Sequence, residues 1–353
     1  MPLIVDGVRG PVIWAGERVA RSARTAPRWD ASAVSLHIAL VNNMPDSALA
    51  DTENQFFELL DRASDNLQIH LKLFSLPGVR RGDAAQKRLS RPYFDIDELW
   101  NSRFDAVIVT GTEPCQADLR REPYWSKLVE VLEWAETHTA SAVLSCLAAH
   151  AGVLHTDGIE RRRLSDKQFG VFDFPRINHH ILTERAGAFL RFPHSRWNEV
   201  DIGALTSCGY ELLTCSSDAG ADLFVKRKKT CLFLHFQGHP EYDAVTLLNE
   251  YRRDIRRFLK RERATYPNMP QGYFDATSVD VLNGFRNQAL ADPSEVLMAQ
   301  FPHAQVAGVL QNTWQWSATY VYRNWLQYVA ARQPETSTLT SRAGRAPSAF
   351  GHY

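Results

Sequence analysis

The sequence predicts an α/β fold, a mostly parallel sheet flanked by helices with a C-terminal helical extension. Three observations predict it. Short apolar, partly β-branched runs recur between residues 35 and 145. Amphipathic stretches separate several of them, the spacing of strand–crossover–strand units. The last strongly patterned segments, 243–264 and 314–332, both read as helices.

Taken in order, "SLHIALVNN" (35–43) reads as a buried strand. "DTENQFFELLDRAS" (51–64) places Phe56, Leu59 and Leu60 at helical spacing, with Asp51 or Thr52 as N-cap. "LQIHLKLFSL" (67–76) alternates as a strand does, and "FDAVIVTG" (104–111) is a strand that ends in a glycine turn. "EPYWSKLVEVLEWAETHT" (122–139) has one apolar face. "SAVLSC" (141–146) is a strand, and a helix follows from Leu147. "ADLFVKRKKTCLFLHFQGHPEY" (221–242) reads as a hairpin whose basic turn, "KRKK", is a solvated tip. "DAVTLLNEYRRDIRRFLKRERA" (243–264) is a patterned helix, 265–312 carry no clear pattern, and "WQWSATYVYRNWLQYVAAR" (314–332) closes the chain as a helix. The domain reading is an extension over 1–34, one domain over 35–332, and a disordered tail over 333–353 rich in Ser, Thr, Pro and Gly.

Composition narrows the function. With 353 residues, 44% apolar and 23% charged, the chain is an ordinary globular protein. Forty basic residues balance forty acidic ones, so nothing points to nucleic acid or to a membrane surface. No run of about eighteen apolar residues is present. The N-terminus lacks the layout of a secretory signal. Five cysteines stand at wide spacings with no CxxC pair, which argues against a disulfide framework and a cysteine-based zinc site. A reducing cytoplasm is the expected setting.

The chemistry centres on "SAVLSCLAAHAGVLH" (141–155), where Cys146 joins strand to helix. In open parallel sheets, function gathers at the carboxyl ends of the strands. A helix N-terminus favours a thiolate, and the N–H of Leu147 faces an oxyanion on any carbonyl that Cys146 attacks. Gly111 or Thr112, in the turn after "VIV", can supply a second N–H. A thiol nucleophile needs a base, and the base needs an orienting group. Among twelve histidines, His239 in "FQGHPEY" stands out, because Pro240 holds Glu241 in fixed relation to it. His235, on the preceding strand, is a competing histidine. Spacing alone does not pair His239 with Cys146.

Cys after a strand and a distant G-H-P-E after another resemble the class I glutamine amidotransferase fold, a flavodoxin-like α/β fold, with its Cys–His–Glu triad. "NNMPDSALADTENQFFELL", "VTGTEP", "KQFGVFDF", "FPHSR", "GHPEYDAVTLLNEYRRD" and "YPNMPQGYF" resemble more closely the homoserine O-succinyltransferase/O-acetyltransferase family, over roughly residues 35–330. The resemblance implies ping-pong acyl transfer from acyl-CoA through a Cys146 thioester, with His239 as base and Glu241 orienting it. It implies Arg253, Lys167 and Ser195 as substrate contacts, acyl-CoA as co-substrate with no bound cofactor or metal, small-molecule partners and a homodimer. Cys115 falls where the family's acyl choice is tracked, and a small uncharged residue there favours succinyl over acetyl.

Some segments depart from the family pattern. "MPDSALADTENQ" carries Asp46 and Ser47 where relatives carry lysines, an exchange that opens the alternative of serine as acceptor. About thirty residues at 274–305 form an insertion. Two further alternatives are a thioester hydrolase or glutaminase of the same fold, and a non-enzymatic binder.

Overall fold

The computed structural model describes residues 3–7 and 34–333. Its main sheet has eight strands. They are β1 (Leu3–Val5), β2 (Ser35–Val41), β3 (Gln68–Phe74), β4 (Ala106–Val109), β5 (Ser141–Ser145), β8 (Glu211–Leu212), β11 (Leu223–Lys228) and β12 (Cys231–Phe236). Their spatial order is β1-β3-β2-β4-β5-β12-β11-β8. The first six in that order run parallel; at one edge β11 pairs antiparallel with β12, and β8 antiparallel with β11. The fold class read from the sequence therefore holds. The start of the N-terminal extension contributes the opposite edge strand; its residues 8–33, and residues 334–353 of the expected disordered tail, lie outside the described residues.

Helices cover both faces, because strands buried on two sides need two apolar partners. On one face α1 (Leu49–Ala63) and the final α10 (Gln315–Ala330) bury Phe56, Leu60, Val321 and Trp325 against Ile38, Ile108 and Leu234. Trp325 donates its Nε1–H to Ser141 Oγ at 3.0 Å, tying the C-terminal helix to the central strand. On the other face α4 (Trp125–His138) and α5 (Leu147–Asp157) pack Val131, Leu132, Ala148 and Ala151 over Val109, Ala142 and Leu144. Two short helices, α2 (Asp83–Leu89) and α3 (Asp97–Asn101), lie between β3 and β4.

Three details differ from expectation. Helix α1 starts at Leu49 with Ala48 as N-cap, not Asp51 or Thr52. A turn closed by Ala48 N–H on Pro45 O starts the helix earlier and leaves Asp51 in its first turn, where a carboxylate suits the helix dipole. Second, only Lys229 of "KRKK" sits in the hairpin turn; Lys226, Arg227 and Lys228 pair with β12 as strand. Lys226 is bound to Asp157 at 2.7 Å, so its charge is structural. Third, residues without a clear pattern are ordered here. Helices α8 (Ala276–Ala291) and α9 (His303–Ala307) pack Leu282, Phe285 and Val306 against Leu248 and Ile255 of α7 (Thr246–Leu259).

The sequence reading also missed a long antiparallel ribbon, β6 (Arg161–Pro175) with β7 (Phe189–Val200), joined through a bulge between Arg163 and Gln168. The remaining elements, α6 (Ile202–Ser207) and the pair β9 (Cys215–Ser216) and β10 (Gly220–Ala221), follow it. Gln271 bonds across Gly170 to the Phe169 carbonyl and the Val171 amide, so the "YPNMPQGYF" segment seals the ribbon. At Pro193 and His194 the ribbon packs against the turn that follows β12.

Three buried histidines give the fold a pH dependence. Burial lowers His150 to about 3, His194 to about 4 and His235 to about 3. Their folded values lie below the unfolded one, so their stabilisation is present above pH 6.5 and fades as pH falls toward the folded values. At pH 5 each neutral histidine is predicted to lower stability by about 2 kcal/mol relative to pH 7. Urea unfolding at the two pH values checks this, and an unchanged midpoint contradicts it.

Candidate active site

Cys146 follows the last residue of β5 and caps α5 with φ 53° and ψ −113°. Non-glycine residues avoid this conformation and persist in it only when the surroundings over-determine it. Its N–H is held by Phe236 O at 2.8 Å, on the neighbouring parallel strand. The sharp turn sends the side chain out of the sheet's edge and opens α5 at Leu147, whose N–H has no intrahelical acceptor. Gly111, beyond β4, runs beside it. A Cβ on Gly111 would come within 2.9 Å of Leu147 N, so only glycine allows this approach. Gly111 and Leu147 thus lie side by side, and Thr112 lines the same small pocket.

The turn after β12 carries His239, the candidate base. Gly238 donates to Asp222 Oδ1 at 2.7 Å and His239 N–H to Pro193 O at 2.9 Å. A Cβ on Gly238 would lie 2.7 Å from His194 Nε2. His239 Nδ1 and Glu241 Oε1 are 2.8 Å apart, and both side chains are almost fully buried. The His239 ring stacks on Tyr242 with centroids 4.2 Å apart. Burial disfavours the imidazolium, but the negative charges of Cys146 and Glu241 and hydrogen bonds to both outweigh it, holding His239 well above its ordinary value. The structure brings Cys146, His239 and Glu241 together although ninety-three residues, 239 less 146, separate the first two. His235 is a core histidine stacked on Phe224 at 4.8 Å.

Lys167, Ser195 and Arg253 also meet, at a residue the sequence reading missed. Glu250 accepts from Lys167 Nζ at 3.3 Å, Arg253 at 3.4 Å, Tyr242 Oη at 2.8 Å and Ser195 Oγ. Burial works against its charge, yet Lys167 and Arg253 beside it lower it to about 2, so it is ionised. Asp254 pairs with Lys167 at 3.1 Å and with Arg253 at 3.2 Å. Glu250 lies three residues before Arg253, on the same turn of α7; that helical spacing was the available signal. Through Tyr242, this cluster touches the ring of His239.

Other expected residues sit further out. Cys115 is exposed; its N–H donates to Glu122 Oε1 at 2.6 Å. The exchange at Asp46 does not put a free anion in the site. Asp46 accepts from Gly82 N–H at 2.7 Å and pairs with Arg81 at 3.3 Å, which itself bonds the Met44 carbonyl. That local pairing removes the electrostatic motive for serine.

At the ends of the adjacent parallel strands β5 and β12, an open α/β sheet carries a thiol, an imidazole and a carboxylate together, an arrangement chemically able to hold an acyl group on sulfur. A family model for homoserine O-succinyltransferase matches residues 19–336. A homoserine O-succinyltransferase of Rhodopseudomonas palustris is 44% identical over 87% of this chain and 92% of its own length. One from Bradyrhizobium japonicum is 42% identical over 90% and 99%. A solved glutamine amidotransferase from Thermotoga maritima aligns only loosely, with TM-score 0.47 and 11% identity over 84% of this chain and 98% of that one. The chain belongs to the homoserine O-succinyltransferase family.

Proposed function

We propose that this protein transfers a succinyl group from succinyl-CoA to the side-chain hydroxyl of homoserine through a thioester on Cys146, a step that prepares the amino acid for sulfur displacement in methionine biosynthesis. The observation that carries the reading is the buried His239–Glu241 pair facing a strained thiol. The family and the names of its relatives support succinyl and homoserine.

Cys146 gives its proton to His239, and Sγ attacks the thioester carbonyl. The resulting oxyanion is met by the N–H of Leu147 and of Gly111 or Thr112. The tetrahedral adduct collapses, the bond to CoA sulfur breaks, and the leaving thiolate takes the proton from His239. Homoserine then binds with its carboxylate on Arg253, whose planar fork suits it. Lys167 and Ser195 complete that end. His239 removes the hydroxyl proton as the oxygen attacks the acyl–enzyme, and Cys146 leaves as the thiolate. Glu241 holds His239 in the required tautomer throughout. Cys115 stands on the loop that bears on acyl choice.

Initial rates with both substrates varied test the scheme. Parallel double-reciprocal lines are expected; intersecting lines would mean both substrates bind before chemistry and would contradict it. Glu250→Gln is predicted to raise the homoserine KM about tenfold or more, because four partners lose their shared anion. Formation of the acyl–enzyme should stay near wild type. A variant slow in both half-reactions would show that Glu250 holds the whole site rather than its amino-acid end.

A further inference from the structure

Acyl transfer explains the thiol but leaves Arg161, whose charge Cys146 influences, without a role. Arg161 opens β6 opposite Val200. Val200 N–H donates to Gln237 Oε1 at 3.1 Å, and that oxygen lies 3.0 Å from His150 Nε2, one helical turn beyond Cys146. Gln237 leads directly into Gly238 and His239. The backbone at Arg161 is thus tied to the nucleophile's helix and to the base's turn. From its side chain, Nη2 donates to the carbonyls of Gln116 at 3.3 Å and Ala117 at 3.1 Å. Those carbonyls belong to the loop that starts at Gly111, and Glu122 fixes that loop by accepting from the N–H groups of Cys115 and Gln116.

The neighbouring cations are engaged. Arg120 pairs with Asp118 and Glu160, and Arg162 with Glu199. Arg163 lies over the Trp197 ring at 4.7 Å. Lys167 is held by Glu250 and Asp254. Arg196, buried behind the site, uses Nε on His194, Nη1 on Asn198 O and Nη2 on Ala219 O. Among the described residues no carboxylate lies within 4.0 Å of the Arg161 guanidinium, and no acceptor takes its Nε or Nη1. A half-buried guanidinium without a counter-ion is costly unless a ligand supplies one. The electrostatics agree: burial disfavours its charge, while Tyr124, Glu122 and Cys146 lie close enough to offset part of that.

Resting on succinyl transfer, we propose that Arg161 is the specificity-determining residue that receives the distal carboxylate of the succinyl group, on the donor and on the Cys146 thioester. In an extended succinyl thioester that carboxylate lies about 5–6 Å from sulfur. The free Nε–H and Nη1 donors of Arg161 face different sides of the guanidinium, and the carboxylate takes a charge-assisted hydrogen bond from one of them.

The test compares kcat/KM for succinyl-CoA and butyryl-CoA, which has the same four carbons and no carboxylate, using the full chain as wild type, Arg161→Met and Arg161→Lys. Arg161→Met is expected to lose about 100-fold on succinyl-CoA and to keep butyryl-CoA within about threefold, with Arg161→Lys between. The retained butyryl activity shows that the variant is folded. Equal losses on both donors would assign Arg161 to CoA or to loop structure, and an unchanged ratio would leave it no role in acyl choice; either overturns the inference. A wild type that transfers neither acyl group overturns the functional reading itself.

Discussion

Replacing Cys146 by glycine is expected to yield a protein more stable than the wild type and without acyl transfer. The backbone at φ 53° and ψ −113° is strained for any residue with a Cβ. Glycine removes most of that strain, although its greater freedom when unfolded works the other way. The net gain is predicted to be about 1 kcal/mol. Cys146→Ala keeps the Cβ and the strain, so it should unfold with the wild type or slightly before it. Both variants should lose transfer by on the order of 10⁴-fold or more, because no other group can carry the acyl chain. Denaturant unfolding of the two variants separates strain from chemistry. A glycine variant no more stable than the alanine one would remove strain from the account.

His239→Asn should lower kcat by about 10³-fold, at the upper part of the range for a lost general base. The amide cannot take the proton from the thiol or from homoserine. It also takes the imidazole from Glu241, whose Oε2 already has no partner and whose Oε1 is otherwise met by Ser145 Oγ at 3.5 Å. The cost in stability should depend on pH. The folded value of His239 is raised, so its stabilisation is fully present below the unfolded value near 6.5 and fades as pH rises through the folded one. The variant should therefore lose more stability relative to wild type at pH 6 than at pH 9. A loss that grows with pH would mean that His239 is neutral in the resting protein.

The parallel sheet was legible because its strands are apolar and separated by helices with clear faces, such as Phe56, Leu59 and Leu60 or Leu128, Val131 and Leu132. Cys146 was legible as a candidate from its place between strand and helix, and His239 with Glu241 from the stiff G-H-P-E turn. Pairing them needed the third dimension, since parallel order puts β12 beside β5. The ribbon of β6 and β7 was hidden because its alternation breaks at the bulge after Arg163 and at Pro193. Asp222, which fixes Gly238, has no local signature, and Glu250, which gathers three expected contacts, shows only its helical spacing to Arg253. Each draws partners from distant segments, Asp222 from Gly238 and His194 and Glu250 from Lys167 and Ser195. Asp46 shows the converse. Its charge stood out in the sequence, yet Arg81, thirty-five residues on, neutralises it.

Intact-protein mass after brief incubation with succinyl-CoA, on wild type and on Cys146→Ala, tests the central claim most directly. One succinyl adduct on the wild type, absent from Cys146→Ala and discharged by homoserine with appearance of O-succinylhomoserine, is the predicted result. An adduct of the same mass on Cys146→Ala, or one that homoserine does not discharge, would contradict a Cys146 thioester as the intermediate.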